Sequence, residues 1–134
     1  MAAVTAADVN LQLAGYRVAF IGIDFQISLR FSSECVVRLG SVFSVTDTAD
    51  GERMVDPEGD KALFVPVLRL YGETVESSRI EGSVLILEFS DGTVLEARPD
   101  DDYESWSYTG PEQTPTRIIA MPGGELAIWL PDDG

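Results

Sequence analysis

The stretch Val84–Arg98 constrains the fold more than any other, because its hydrophobic pattern admits one way of pairing with itself. It reads Val-Leu-Ile-Leu-Glu-Phe-Ser-Asp-Gly-Thr-Val-Leu-Glu-Ala-Arg, two alternating runs around an Asp-Gly turn signal. A two-residue loop, Asp91-Gly92, sets Leu87 opposite Glu96 and mixes apolar with charged side chains on both faces. A three-residue loop, Ser90-Asp91-Gly92, gathers Leu85, Leu87, Phe89, Thr93, Leu95 and Ala97 on one face. Val84, Ile86, Glu88, Val94, Glu96 and Arg98 then share the other. A one-residue slip moves every side chain to the opposite face, so burial of the apolar set selects the three-residue loop. That loop also puts Gly92 in the left-handed bulge position, where glycine is unstrained.

The same logic applies upstream. With Ser32-Ser33-Glu34 as the loop, Ile27, Leu29, Phe31, Cys35, Val37 and Leu39 line one face of a second hairpin. Ser28, Arg30, Val36 and Arg38 line the other. Phe31–Val36 lies over Phe89–Val94, and Gly15-Tyr16-Arg17-Val18 lies over Gly72-Glu73-Thr74-Val75, with one residue of slippage between. The pattern reads as an internal repeat of a Gly-x-x-Val strand, a turn and a bulged hairpin; two unrelated amphipathic hairpins are the alternative.

At 134 residues and 45% hydrophobic, the chain reads as one folded domain, 1–134. The expected order is a first β half (11–45), an acidic loop (46–60), a short helix (61–72) and a second β half (73–130). The loop is marked by Asp47, Asp50-Gly51, Glu52, Asp56-Pro57 and Gly59. Leu63, Phe64, Val67, Leu68 and Tyr71 recur at helical spacing before Gly72, with Pro66 either in the first turn or at a kink. The first strand region, Leu11–Phe25, alternates Tyr16, Val18 and Phe20 against Arg17, Ala19 and Ile21. The strand after Glu34 is expected to run on through Val42, Phe43 and Val45. Near the end, Tyr103–Tyr108 places Glu104, Trp106 and Tyr108 on one face, and Gly110–Thr116 is a loop. A two-residue Gly123-Gly124 turn would pair Ile119 with Ile128 and Met121 with Leu126. Eight or nine short strands and one helix make a mainly β domain, an antiparallel sandwich or partly open barrel of two pseudo-repeated halves.

Composition narrows the chemistry. There is no histidine, which removes Ser-His-Asp and Cys-His catalysis and most zinc sites. The lone Cys35 excludes an internal disulfide, and its register places it in the core as a small hydrophobe. A net charge of −14, with one lysine and eight arginines, disfavours phosphate backbones and suits a basic partner or simple solubility. No apolar run approaches a bilayer span and the N-terminus lacks a signal-peptide pattern, so no membrane role and a cytoplasmic location are expected.

Candidate binding residues are few. Asp100, Asp101, Asp102 and Glu104 resemble a hard-cation cluster but lack the EF-hand spacing, so an acidic turn is the plainer reading and no metal is assigned. Trp106, Tyr108 and Trp129 form either an aromatic recognition surface or core packing with polar tips at the rim. Pro122-Gly123-Gly124 is a hairpin turn, since no helix and no Lys-Ser/Thr follow it. No cofactor site is found.

The motifs Phe89-Ser90-Asp91-Gly92-Thr93, Tyr103-Glu104-Ser105-Trp106 and Pro122-Gly123-Gly124-Glu125-Leu126-Ala127-Ile128-Trp129 resemble a family of small uncharacterised actinobacterial β-rich proteins known as a domain of unknown function. The resemblance spans roughly residues 11–130 and implies a shared fold. It brings no catalytic residues.

Three functions compete. A non-enzymatic protein-interaction module, in its sharper form an immunity- or antitoxin-type protein covering a basic toxin, is favoured by the acidity and the missing catalytic set. Its partner-binding residues would be Trp106, Tyr108, Trp129, Asp100, Asp101, Asp102 and Glu104. A small-ligand protein would need a pocket between the two β halves. A homo-oligomer, such as a homodimer, would pair through an edge strand or the aromatic face.

Overall fold

A computed structural model describes residues 9–111 and 116–130. Among these residues, eleven strands form two antiparallel sheets packed as a sandwich that does not close into a barrel. The strands are β1 (Val18–Ile23), β2 (Ile27–Phe31), β3 (Val36–Leu39), β4 (Phe43–Asp47), β5 (Gly51–Val55), β6 (Val75–Glu81), β7 (Val84–Phe89), β8 (Val94–Ala97), β9 (Trp106–Thr109), β10 (Arg117–Ala120) and β11 (Leu126–Trp129). Between β5 and β6, a 3-10 turn at Lys61–Phe64 runs into α1 (Val65–Leu68). One sheet has the order β1-β2-β3-β9-β10-β11, the other β5-β4-β8-β7-β6.

Both hairpins take the register their apolar patterns dictate. Leu87 faces Leu95 and Leu85 faces Ala97; Leu29 faces Val37 and Ile27 faces Leu39. Phe89 and Phe31 donate their N–H groups to Thr93 and Cys35 at 2.8 and 2.9 Å, and the third loop position has positive φ in both, +92° at Gly92 and +72° at Glu34. The Gly-x-x-Val segments meet each other across the molecule. Arg17 bridges Thr74, Gly15 N–H donates to Val75 and Gly72 N–H to Val18, each at 2.8 Å. Ser32 and Ser90 donate to the carbonyls of Arg17 and Thr74, each at 2.9 Å. The one-residue slippage lies in the β1–β2 turn, where Asp24-Phe25-Gln26 joins Ile23 to Ile27, against the Glu81–Val84 pairing beyond Ile80 and Leu85.

The repeat extends further than its sequence signal. Ser44-Val45-Thr46 pairs with β8 as Ser107-Tyr108-Thr109 pairs with β3. Each repeat's first three strands are therefore completed by later strands of the other repeat, β1–β3 by β9–β11 and β6–β8 by β4 and β5. The chain crosses between sheets at Gly40-Ser41-Val42, so β3 does not run on into Phe43 and Val45 as the hydrophobic run suggested.

Four other expectations are corrected. The 46–60 segment is not all loop: Gly51–Val55 is an edge strand on β4, with only Val55 buried. The 61–72 helix shrinks to a 3-10 turn plus one α turn with Pro66 in its first turn, and it buries Phe64, Val67 and Leu70 while Leu63, Leu68 and Tyr71 stay exposed. A bulge between Val18 and Phe20 turns Phe20 outward, and β6 repeats it between Val75 and Ser77. The last hairpin pairs Ile118 with Ile128 and Ala120 with Leu126, one residue off the expected register. The reason is a 3-10 turn at Pro122–Gly124 with Gly123 at φ +86°, closed by the bond from Met121 N–H to the Glu125 carbonyl.

The core lies between the sheets. Leu29, Phe31, Phe43, Phe89, Trp106 and Tyr108 are among its fully buried side chains and fill the space between the halves. That filling closes the space between the sheets, so an opening lined by both halves can lie only at the edges of the sandwich. Cys35 is buried, as its register required. Among the described residues, no helix is long and apolar enough to cross a membrane.

Candidate functional site

The residues singled out from the sequence separate into two groups. Trp106 and Tyr108 are each 1% exposed, so of the two readings core packing holds for them and neither can serve as a partner-binding residue. Period-2 alternation in β9 turns both inward, and each spends its polar tip on a distant carbonyl. The indole N–H of Trp106 donates to Ser83 O at 3.0 Å, and the Tyr108 hydroxyl donates to Leu11 O at 2.6 Å. Glu104 precedes the strand and stays exposed, so it does not share their face. Trp129 stands 51% exposed on edge strand β11.

Asp100 and Glu104 do come together, at one end of the six-stranded sheet, in an open groove of ≈ 460 Å³. The groove also takes Asp56 and Glu58 from the turn after β5, and Phe25, Tyr103 and Val42. Asp101 and Asp102 are exposed but lie outside its lining.

Local bonds build each wall. The Asp24 carboxylate accepts from Gln26 N–H at 2.7 Å, an Asx turn that leaves Phe25 82% exposed at its tip. Asp56 accepts from Glu58 N–H at 3.0 Å, and its carbonyl takes Gly59 N–H at 2.9 Å; buried Pro57 anchors this turn. Asp100 accepts from Asp102 and Tyr103 N–H at 2.8 and 3.2 Å, and its carbonyl takes Gly123 N–H at 2.9 Å. The next residues are clamped: Gly40 N–H donates to Ser105 O at 2.8 Å and Ser105 N–H to Ala120 O at 3.2 Å. Gly40 is needed for that approach, since a Cβ there would meet the Glu104 carbonyl oxygen at 3.0 Å.

Four carboxylates from two turns thus line an opening rimmed by Phe25 and Tyr103, the latter 68% exposed. Among the described residues, none of the four forms an ion pair; Asp50, Glu81, Glu88 and Glu96 take the arginines that do. Nor do three or more His, Cys, Asp or Glu side chains converge there as metal ligands would. Spread carboxylates beside accessible rings suit an extended organic cation, held by charge on one side and by ring faces on another.

Sequence reading reached Asp100 and Glu104 but not Phe25, Asp56, Glu58 or Tyr103. The exposed aromatic next to the Asx signal Asp24-Phe25-Gln26 was the one available cue.

No curated protein and no solved structure matches the chain. A family model does, over residues 9–130, a span that takes in both hairpins, the groove and the final tryptophan strand. The chain belongs to the family of unknown function DUF6188.

Proposed function

We propose that this chain is a non-enzymatic protein-interaction module that takes a basic segment of a protein partner into the groove between Phe25 and Tyr103. The observation that supports it is the grouping of Asp56, Glu58, Asp100 and Glu104 around exposed aromatic rings, with no arginine or lysine of the described chain paired to them. An arginine or lysine of the partner supplies the missing cation. The −14 net charge steers such a partner toward the molecule and speeds encounter. An immunity- or antitoxin-type protein that covers a basic toxin is the sharper form of this reading.

The test is capture of partners by the tagged protein from a lysate of its source organism at low and high salt, followed by pairwise binding of whatever is retained. A single basic protein bound in stoichiometric amount, and released by salt, is the expected result. The variant Asp56→Asn/Glu58→Gln/Asp100→Asn/Glu104→Gln keeps acceptors for both Asx turns and should lose that partner. Retention by the variant, or capture that persists unchanged in high salt, would refute the reading. Light scattering at high concentration tests the homo-oligomer alternative.

A further inference from the structure

The two outer faces of the sandwich differ in chemistry. None of the six strands β1, β2, β3, β9, β10 and β11 carries an aspartate or glutamate, although the chain has 23. The five strands of the other sheet carry Asp47, Glu52, Glu76, Glu81, Glu88 and Glu96. The six-stranded sheet instead carries Arg30, Arg38 and Arg117, all exposed.

Register places all three on the outer face. Phe20, Arg30, Val36, Thr109, Arg117 and Trp129 form one row across all six strands, each paired with the next. Arg38 stands in the adjacent row, paired with Ser28 and Ser107. At roughly 4.8 Å per strand and 3.4 Å per residue, Arg30 and Arg117 lie about 14 Å apart, and Arg38 lies about 7–8 Å from the first and about 12 Å from the second. The row ends in two cation–π contacts. Arg30 lies over the Phe20 ring at 4.9 Å and Arg117 over the Trp129 ring at 5.9 Å. Those rings are 48% and 51% exposed.

None of these arginines forms an ion pair among the described residues, whereas on the opposite face Arg79 is held by Glu81 and Glu88, and Arg98 by Glu96. A chain this rich in carboxylate has kept it out of the strands of this sheet; Asp24 and Glu104, from the turns at the strand ends, line cavities beside Arg30 and Arg38 but, among the described residues, form no ion pair with them. Guanidinium stacked on a ring is oriented before it binds, and its planar fork matches a carboxylate.

We infer that the outer face of the six-stranded sheet is a second docking surface, for an acidic segment of a protein partner. Its carboxylates pair with Arg30, Arg38 and Arg117, and its apolar side chains cover Phe20, Val36 and Trp129. A nucleic acid fits less well. Three arginines in a triangle do not make the continuous basic track that a phosphate backbone follows, and the turns at the ends of these strands carry Asp24, Glu34, Glu104 and Glu125. The surface is chemically opposite to the carboxylate groove and borders it where Glu104 and Arg38 line one small cavity.

The test is a titration of the full chain with an extended decapeptide alternating glutamate with valine and tyrosine, followed by NMR at low salt. The arginine Nε–H and tryptophan indole N–H signals report on the face directly. The expected result is shifts at Arg30, Arg38, Arg117 and Trp129, with the buried Trp106 unmoved. The variant Arg30→Gln/Arg38→Gln/Arg117→Gln, all exposed positions, should keep its thermal midpoint and lose about tenfold or more in affinity. The same peptide with glutamine for glutamate should lose as much, and Arg53→Gln, on the other sheet, should change nothing. Four results would each overturn the inference: no shifts at these groups, equal binding of the glutamine peptide, larger shifts with decauridylate than with the acidic peptide, or concentration-dependent dimers that bury this face.

Discussion

The two bulged hairpins contain an internal control for backbone strain. Gly92 and Glu34 occupy the same loop position, with φ of +92° and +72°. Glycine adopts that conformation freely, whereas a residue with a Cβ carries about 1–2 kcal/mol of strain there. Glu34→Gly removes the strain but adds backbone freedom to the unfolded chain, worth about 0.5–1 kcal/mol in the opposite direction. The net expectation is a gain of about 0.5–1 kcal/mol. For a chain of this length, with an unfolding entropy of about 2 cal/mol/K per residue, that raises Tm by about 2–4 °C. Glu34 is exposed and carries one of 23 acidic charges, so charge must be separated from strain. Glu34→Gln does so, since it removes the charge and keeps the Cβ. The reciprocal change, Gly92→Ala, introduces the strain and brings a Cβ to 3.3 Å from Thr48 Cγ2, so it should cost about 1 kcal/mol or more. Urea and thermal unfolding of the three variants against the parent settle the matter. If Glu34→Gly is no more stable than Glu34→Gln, the strain argument and the equivalence of the two loops fail together.

Trp106→Phe removes the donor to the Ser83 carbonyl and leaves a void in the core, at a cost of about 2–3 kcal/mol measurable by urea unfolding. Tyr108→Phe withdraws the hydroxyl from the buried Leu11 carbonyl and should cost about 1–2 kcal/mol. Neither change should weaken partner capture beyond its effect on stability, because both side chains are buried. Glu88 is held below the ordinary glutamate range, chiefly by its hydrogen bond from Arg79 and then by that from Ser77. A depressed carboxylate contributes stability above its unfolded pKa and loses it as pH falls through the folded value. Stability should therefore drop as pH falls below the usual glutamate range, and Glu88→Gln should flatten part of that slope in urea titrations at stepped pH.

Where one face of a strand pair is buried, the sequence was legible. Leu85, Leu87, Phe89, Thr93, Leu95 and Ala97 could share a face in one register alone, and all are buried. The bulges after Val18 and Val75 were invisible, because nothing in Ala19 or Glu76 distinguishes a bulged residue from a paired one. Gly51–Val55 reads as loop because an edge strand with four exposed residues has no apolar alternation to show. The handing of β4 and β9 to opposite sheets was out of reach, since it depends on pairs such as Val37 with Tyr108 that local pattern does not encode. The groove was half legible for the same reason. Asp100 and Glu104 stand in a visibly acidic turn, but Asp56, Glu58 and Phe25 reach it only through the way the strand ends meet. The arginine face needed the strand order as well, because its row draws one residue from each of six strands.

Neither repeat owns a whole sheet: β1–β3 lean on β9 and β10, and β6–β8 lean on β4 and β5. A cut between β5 and β6, in the turn at Lys61–Phe64, would leave two pieces whose last strands pair only among themselves, β4 having lost β8 and β9 having lost β3. Such pieces should be unstructured apart and should fold only on mixing, each serving as template for the other. In the intact chain the same wiring delays the reward of burial until segments some seventy residues apart have met, as Val37 and Tyr108 must. Assembly of this molecule is in effect a bimolecular reaction carried out within one chain, and the short connection through α1 sets how often the two reactants meet.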